Sequence, residues 1–200
     1  MSNYDRKELK PYLDDVSCLM PINVWNKKIK GKTRGKTPIH NDWTTRQYNT
    51  DSDTIKNWTD KGYNLGYRIT DKELVVDMDP RNYEGIDCEE IIAELFGYFD
   101  WEELIQDLPT VRTGGGGYHV YCLLPDGVDY RLLKETMEQY PGVEFKRKGR
   151  QVLCAGSKHP SGNFYRWINK TKALPIPESV IEAISREANK KGDYSSGGAS

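Results

Sequence analysis

Several features that mark well-known classes of protein are missing from this sequence. Lysine and arginine together number 29 against 30 aspartate and glutamate residues, so the net charge is -1. Coating of nucleic acid by overall charge is thereby excluded, because it needs a strong positive excess. The four cysteines stand far apart, at positions 18, 88, 122 and 154. None of the paired spacings of zinc sites or redox motifs occurs, which predicts reduced thiols.

Long apolar segments are missing as well. No stretch approaches the roughly 20 apolar residues that a membrane helix requires, and the first residues contain no apolar signal core. The sequence therefore predicts a cytoplasmic protein that is neither secreted nor inserted into a membrane.

What is present is typical of a folded domain of enzyme size. The 200 residues are 36% hydrophobic and 30% charged, enough to bury a core of their own. Strands and helices do not alternate strictly, which favours an α+β fold over a doubly wound sheet. We predict one domain over residues 1–190 and a flexible, linker-like tail over residues 191–200, which is small and polar.

Local patterns along the chain predict the individual elements. Strands are predicted over residues 64–69, 73–79, 118–124, 143–146, 151–155 and 164–168, the fourth and fifth forming a hairpin about Lys148 and Gly149. Helices are predicted over residues 50–62, 87–96, 101–107, 130–140 and 177–190.

Two acids end the predicted strand at residues 73–79. Side chains two apart in a strand point to the same face, so Asp77 and Asp79 can aim both carboxylates at one point while Met78 packs inward. Converging carboxylates repel each other unless cations neutralise them, and hard oxygen ligands suit Mg²⁺ or Mn²⁺. The alternative is a turn whose acids cap backbone N–H groups at the strand end.

A run of four glycines at residues 114–117 precedes another predicted strand, with His119 at its start. Glycine lets the backbone approach phosphate oxygens closely, but the same run can be a simple turn. Glu144 lies on a strand face opposite Val143 and Phe145, where an ordinary exposed glutamate is equally expected. The loop at residues 157–162 offers hydroxyl, cationic and imidazole groups for phosphate and base contacts, or is merely a hairpin loop.

Four motifs occur in a fixed order along the chain. They are Leu-Val-Val-Asp-Met-Asp-Pro at residues 74–80, Thr-Gly-Gly-Gly-Gly-Tyr-His at 113–119, Gly-Val-Glu-Phe at 142–145 and Gly-Ser-Lys-His-Pro-Ser-Gly at 156–162. In this order they resemble the N-terminal domain of bifunctional DNA primase/polymerases, of the archaeo-eukaryotic primase superfamily. The ordered series, spanning about residues 60–168, is far more specific than any single motif.

The resemblance implies a set of site residues. In the family an acidic pair and a third acid bind two divalent metals, Mg²⁺ or Mn²⁺, and a histidine contacts nucleotide phosphates. These catalytic roles carry over to Asp77, Asp79, Glu144 and His119. Further nucleotide contacts are expected from Thr113, Gly114, Gly115, Gly116, Gly117, Arg150, Ser157, Lys158 and His159, and nucleic-acid contacts from Lys30, Lys32, Arg34, Lys36, Lys146, Arg147 and Lys148.

The resemblance also implies a fold, an activity and partners. The fold would combine mixed β-sheets with flanking helices, its RRM-like half carrying the metal site. The activity would be template-dependent nucleotidyl transfer to a 3′-hydroxyl, with single-stranded DNA template, primer and deoxynucleoside or ribonucleoside triphosphates as partners. Such domains commonly belong to phages and plasmids, which predicts the host cytoplasm as location and a helicase or primase-accessory domain beyond the tail.

Two positions depart from the family's usual pattern, and other functions stay open. Many members have serine where this chain has Gly117 and aspartate where it has Glu144. Some carry a zinc-binding insertion, for which the cysteine spacing here offers no site. The alternatives are a metal-dependent nuclease or glycosyltransferase, which can also use paired aspartates, and a nucleic-acid-binding module without catalysis.

Overall fold

The computed structural model describes residues 3–12 and 16–186 and has the predicted α+β class. Ten strands and four α-helices follow one another in these residues, with short 3₁₀ turns between them. The strands are β1 (Leu19–Val24), β2 (Lys28–Ile29), β3 (Lys32–Thr33), β4 (Tyr63–Arg68), β5 (Glu73–Met78), β6 (Thr110–Arg112), β7 (Tyr118–Leu123), β8 (Val143–Lys146), β9 (Gln151–Leu153) and β10 (Arg166–Asn169). The helices are α1 (Ser52–Asp60), α2 (Cys88–Leu95), α3 (Trp101–Asp107) and α4 (Glu178–Ile184).

The strands form two sheets and a separate hairpin. The larger sheet has the order β10-β6-β7-β5-β8, the smaller has the order β1-β4-β9, and β2 pairs only with β3. Every pairing between these strands is antiparallel, so the sheets are not mixed as expected. Antiparallel neighbours can follow each other through a tight turn, as β6 and β7 do, whereas parallel neighbours need a long crossover. The finer RRM-like description stays a prediction.

Strand β5, which lies between β7 and β8 in the larger sheet, is buried on both faces. Leu74, Val76 and Met78 enter a core formed with α2, α3 and α4, which cover one face of the larger sheet. Val75 points the other way, into a second core that the smaller sheet and α1 close. Asp77 follows on the Val75 side, at the strand end where this second core stops. Side-chain alternation thus positions one carboxylate beside a gap between the two sheets.

Aspartate caps account for the first three helices. Asp51, Asp87 and Asp100 each accept a hydrogen bond from the backbone N–H three residues on, which satisfies one of the free donors of a helix start. The predicted helices at residues 50–62, 87–96 and 101–107 are therefore confirmed. The helix predicted over residues 177–190 is found as α4, and the residues after 186 lie outside the described residues.

Two local predictions are wrong. Residues 130–140 form only a 3₁₀ turn at Tyr130–Leu132, since Leu133 then pairs with Ser185 and the Lys134 N–H donates to the Ile184 carbonyl. The predicted hairpin at residues 143–155 does not exist, because β8 pairs with β5 and β9 with β4. The chain about Gly149 passes from one sheet to the other. In both cases hydrogen bonds to distant segments replaced the local structure.

Two compositional predictions can be compared with the described residues, and a third lies outside them. All four cysteines are buried, and no disulfide joins any two of them. No helix within residues 3–12 and 16–186 is long and apolar enough to cross a membrane. The predicted tail at residues 191–200 lies outside this range.

Candidate active site

Three predicted site residues form a row across the larger sheet. Asp77 on β5 lies directly opposite His119 on β7 and opposite Glu144 on β8. Directly opposed residues of antiparallel strands share a face, so all three side chains project from the same side. Met78 is buried in the first core, as predicted. The face alternation of β8 is also confirmed, since Val143 and Phe145 are buried and Glu144 is exposed.

This row opens into a cavity of about 400 Å³ between the two sheets. Its walls come from the ends of β5 and β8, the glycine loop between β6 and β7, and the loop that contains His159. The charged and imidazole side chains lining it are Asp77, Asp79, Glu144, Lys36, Arg81, Lys146, His119 and His159. Carboxylates and cations therefore share one concave space, which is the usual setting of a binding or catalytic site.

Asp77 has a cationic partner and an imidazole partner. Its Oδ2 lies 3.0 Å from Lys146 Nζ, and its Oδ1 lies 3.4 Å from His119 Nε2. Burial alone would raise the pKa of the Asp77 carboxyl, but His119 and Lys146 together outweigh burial and hold that pKa well below its usual range. The acid is therefore ionised at neutral pH, which a metal-binding or cation-binding role requires.

Asp79 has the capping role that remained open as an alternative. Its carboxylate accepts from the backbone N–H of Arg81 at the start of a 3₁₀ turn, Pro80–Asn82. The Arg81 guanidinium also donates to both carboxylate oxygens, at 3.0 and 3.1 Å. Asp79 is thus both a turn cap and one half of an exposed ion pair. Asp77 caps nothing and faces the cavity.

The glycine loop is compact for a steric reason. A Cβ on Gly117 would stand 2.1 Å from the Met78 carbonyl oxygen, and one on Gly114 would stand 2.3 Å from the His159 Cβ. Glycine lets this loop pack against the end of β5 on one side and the His159 loop on the other. The Thr113 hydroxyl closes the loop by accepting from the Gly117 N–H at 2.8 Å. Close packing of backbone explains both glycines without a ligand.

His159 presents a neutral N–H to the cavity. The Ser161 backbone N–H donates to Nδ1 at 3.0 Å, so the ring proton resides on Nε2. Nε2 lies against Gly115, where an added Cβ would be 3.1 Å away. Burial, together with the cations Lys36 and Arg81, lowers the pKa of His159 to about 4. This imidazole therefore offers a hydrogen-bond donor without a charge.

The depressed pKa of His159 predicts that acid weakens the fold. Between about pH 6.5 and pH 4 the unfolded chain protonates this histidine and the folded chain does not. The stabilising contribution is therefore complete above that window and is lost as the pH falls through it. Urea denaturation at stepped pH should show a shallower loss of the free energy of unfolding for His159→Gln than for wild type. Parallel curves for His159→Gln and wild type would contradict the assignment.

Other predicted site residues lie away from the cavity. Arg150 and Arg147 both pair with Glu135, at 2.7 and 3.4 Å. The Ser157 hydroxyl is buried and bridges the N–H and the carbonyl of Leu65. Gly114, Gly116, Lys148 and Lys158 do not line the cavity, and Lys30, Lys32 and Arg34 lie in or beside the β2–β3 hairpin.

The cavity also contains residues that the sequence reasoning missed. Arg81 directly follows the motif at residues 74–80, so its position beside that motif was a usable signal. The Tyr165 ring lies near both histidines in tilted arrangements, with its centroid 6.0 Å from that of His119 and 6.1 Å from that of His159. Lys36 was predicted to bind nucleic acid, but it lines the cavity wall, where burial and then Arg81 lower its pKa. No local pattern distinguishes Lys36 from the other hairpin lysines.

The chain has an α+β fold with antiparallel sheets and a cavity of carboxylates, imidazoles and cations. A family model described as "Bifunctional DNA primase/polymerase, N-terminal" matches residues 15–179. The chain belongs to this Prim-Pol family, which confirms the resemblance of its motifs.

Among solved structures, the AEP domain of the primase-polymerase from cyanophage S-2L is similar to this chain. It is 16% identical, the match covers 91% of this chain and 99% of that one, and the TM-score is 0.47. No curated protein matches the chain.

The family implies divalent metals, and the possible ligands for them at the cavity are carboxylates. Within residues 3–12 and 16–186, no group of three or more histidine, cysteine, aspartate or glutamate side chains converges closely enough to hold an ion. The chemistry of the donors fits nonetheless, because carboxylate oxygens are the ligands that Mg²⁺ and Mn²⁺ prefer. Lys146 and Arg81 now supply the positive charge beside Asp77 and Asp79.

Proposed function

We propose that this domain is a template-dependent nucleotidyltransferase, a DNA primase, a DNA polymerase or both. The observation that supports the proposal is the cross-strand row of His119, Asp77 and Glu144 in a cavity that also contains three cationic side chains. Membership of a family of bifunctional DNA primase/polymerases gives the row its chemical context. The expected partners are single-stranded DNA template, primer and nucleoside triphosphates, with a helicase as a further partner.

Asp77, Asp79 and Glu144 would hold the divalent metals. Bound there, Mg²⁺ or Mn²⁺ would activate the attacking hydroxyl and neutralise charge on the α-phosphate. The row brings Asp77 and Glu144 to one side of the sheet, and Asp79 lines the same cavity, so that mutual repulsion of these acids would favour cation binding. In the free protein Lys146 and Arg81 relieve that repulsion.

The chain's own residues would bind and orient the triphosphate. His119 and the neutral Nε2–H of His159 approach the cavity from two walls, and Lys36 and Arg81 add charge. Charge-assisted hydrogen bonds from such groups to phosphate are among the stronger ones in proteins. Displaced from Asp77 and Asp79, Lys146 and Arg81 could turn to the phosphate oxygens. The β2–β3 hairpin, with Lys30, Lys32 and Arg34, would contact the DNA backbone.

The test is a primer-extension assay with Mg²⁺ or Mn²⁺ and separate pools of deoxynucleotides and ribonucleotides. Extension of a primed template supports the proposal, and products on an unprimed template add primase activity. Degradation of the DNA would instead indicate a nuclease, and turnover of a sugar nucleotide a glycosyltransferase. DNA binding without either synthesis or turnover would identify a non-catalytic module.

Lys36→Ala is expected to raise the KM for the incoming nucleotide about tenfold, which corresponds to about 1.4 kcal/mol and to one lost charge-assisted hydrogen bond. The reason is that Lys36 lines the cavity near Asp77 and Asp79. Steady-state extension kinetics with varied nucleotide measure the change. Lys32→Ala, in β3 and outside the cavity, is the matched control and should leave that KM unchanged. A normal nucleotide KM in Lys36→Ala, together with weakened DNA binding, would show that Lys36 contacts nucleic acid, as the sequence predicted, and not the nucleotide.

A further inference from the structure

Two aromatic rings and a lysine form a stack on the outside of the cavity wall. Lys158 Nζ lies 4.4 Å from the ring centroid of Trp25 and 5.5 Å from that of Phe164. The Arg166 guanidinium also lies near Phe164, 5.1 Å from its ring centroid. Trp25 and Phe164 are only half-buried, so part of each ring remains open to solvent. We call Trp25, Lys158 and Phe164 the aromatic platform.

Buried backbone contacts fix the platform in place. Asn64, which is fully buried on β4, donates to the carbonyls of Gly35 and Lys158 at 2.9 and 2.8 Å. It also accepts from the Lys158 N–H at 2.9 Å. Gly35 lies directly against Trp25, where a Cβ would be 2.2 Å from the Trp25 carbonyl oxygen. The backbone at Lys158 and beside Trp25 is thus held before any ligand arrives, which lowers the entropy lost on binding.

The platform adjoins the candidate active site. The cavity lining includes His159 and Tyr165, which directly follow the platform residues Lys158 and Phe164 in the chain. It also includes Lys36, which follows Gly35, the residue packed against Trp25. Lys158 and Phe164 face each other in an antiparallel bridge, and successive side chains in such extended segments point to opposite sides, so this wall bears His159 and Tyr165 on the cavity side and Lys158 and Phe164 on the other. A strand lying on the platform would therefore pass beside the cavity.

The charge around the platform suits a polyanion. Residues 25–41 contain no acid, and Lys28, Lys30 and Lys32 are exposed on the hairpin that follows Trp25. The Lys158 ammonium lies over ring faces, which attract a cation without neutralising it. Positive charge interleaved with open aromatic rings is the pattern that single-stranded nucleic acid binds, through phosphate contacts and base stacking.

We infer that the aromatic platform binds the single-stranded DNA template, with bases stacked on Trp25 and Phe164 and Lys158 on a phosphate. The inference rests on the proposed function, since it names the surface through which that activity would receive its template. The competing explanation is that the three side chains only stabilise the hairpin. The two explanations differ in what removal of a ring does to DNA binding.

The experiment measures binding of a fluorescent 20-nucleotide oligo-dT by anisotropy, with EDTA and without nucleotide. Trp25→Ala and Phe164→Ala should each weaken binding about 5- to 100-fold, the range for one lost stacking contact. Trp25→Phe should retain most of the affinity. Lys158→Ala should lower the slope of log affinity against log salt by about one, and Trp25→Ala should not change it. Phe99→Ala removes a ring that is 92% exposed elsewhere and should bind as wild type does.

Wild-type affinity in both Trp25→Ala and Phe164→Ala would overturn the inference, even if their thermal stability fell. An equal loss of affinity for a 20-base-pair duplex would also overturn it, because paired bases cannot stack on the rings. Metal and nucleotide are absent from this assay, so a catalytically inactive chain still gives an answer. Intact oligo-dT binding without primer extension would count against the proposed function alone.

Discussion

Asp77→Asn is expected to reduce the rate of primer extension at least about 10³-fold, since in the proposed function several kcal/mol of charge stabilisation at the metals would depend on this carboxylate. Asparagine has the same shape but no charge, so it can neither hold a divalent cation strongly nor attract Lys146, now 3.0 Å from the acid. The measurement is single-turnover extension with saturating Mg²⁺ or Mn²⁺.

The same substitution also affects folding, and the two effects must be separated. Lys146 has only 20% of its side chain exposed and would lose its carboxylate partner. We expect the free energy of unfolding to fall by about 2 kcal/mol, at the lower end for a broken buried pair because water reaches this site. Extension is therefore assayed well below the melting temperature of the variant. Asp126→Asn, an exposed aspartate in a turn, should match wild type in both measurements. A folded Asp77→Asn protein that extends primers within tenfold of wild type would show that the metal assignment is wrong.

Gly117→Ala is expected to destabilise the protein by about 3 kcal/mol, the upper part of the range for overpacking. The new methyl group would stand 2.1 Å from the Met78 carbonyl oxygen. That oxygen belongs to the backbone of β5, which cannot move aside as a flexible side chain could. Relief of this clash would move the glycine loop away from the end of β5 and pull His119 away from Asp77. Extension activity should therefore fall as well. For a domain of this size, thermal unfolding should begin about 6–12 °C lower.

Gly116→Ala is the matched control. Gly116 has a φ of +90°, but a Cβ there would meet nothing within 4 Å. Only backbone strain is added, which costs about 1 kcal/mol, and the site geometry should survive. An equal loss of stability in Gly116→Ala and Gly117→Ala would mean that loop strain, and not the contact with Met78, explains the effect of an alanine at position 117.

Much of the candidate site could be predicted because strand alternation is a local rule. The order of apolar and acidic residues in β5 sends Val76 and Met78 to one face and Asp77 to the other, wherever the neighbouring strands lie. The rule likewise exposes Glu144. The ordered motifs indicated the family, since their combination is rarer than any single pattern.

Asp79 shows the limit of such reasoning. The same Asp-x-Asp-Pro segment fits both a metal site and a turn cap, and the cap is visible only when Arg81 and Asn82 fold back on the carboxylate. The helix predicted over residues 130–140 is absent for a similar reason. Their composition suits a helix, but the backbone hydrogen bonds go to the end of α4.

The sequence by itself determined the α+β class, the capped helices, the face of each acid in β5 and β8, and the family. These depend on periods of two or about 3.6 residues and on motif order, all of which are local. Only the tertiary structure decided that β8 and β9 enter different sheets, that Lys36 lines the cavity, and that Trp25 meets Lys158 and Phe164. Those contacts join segments up to 133 positions apart, as between Trp25 and Lys158, and are selected by how two sheets pack, for which no single segment carries a signal.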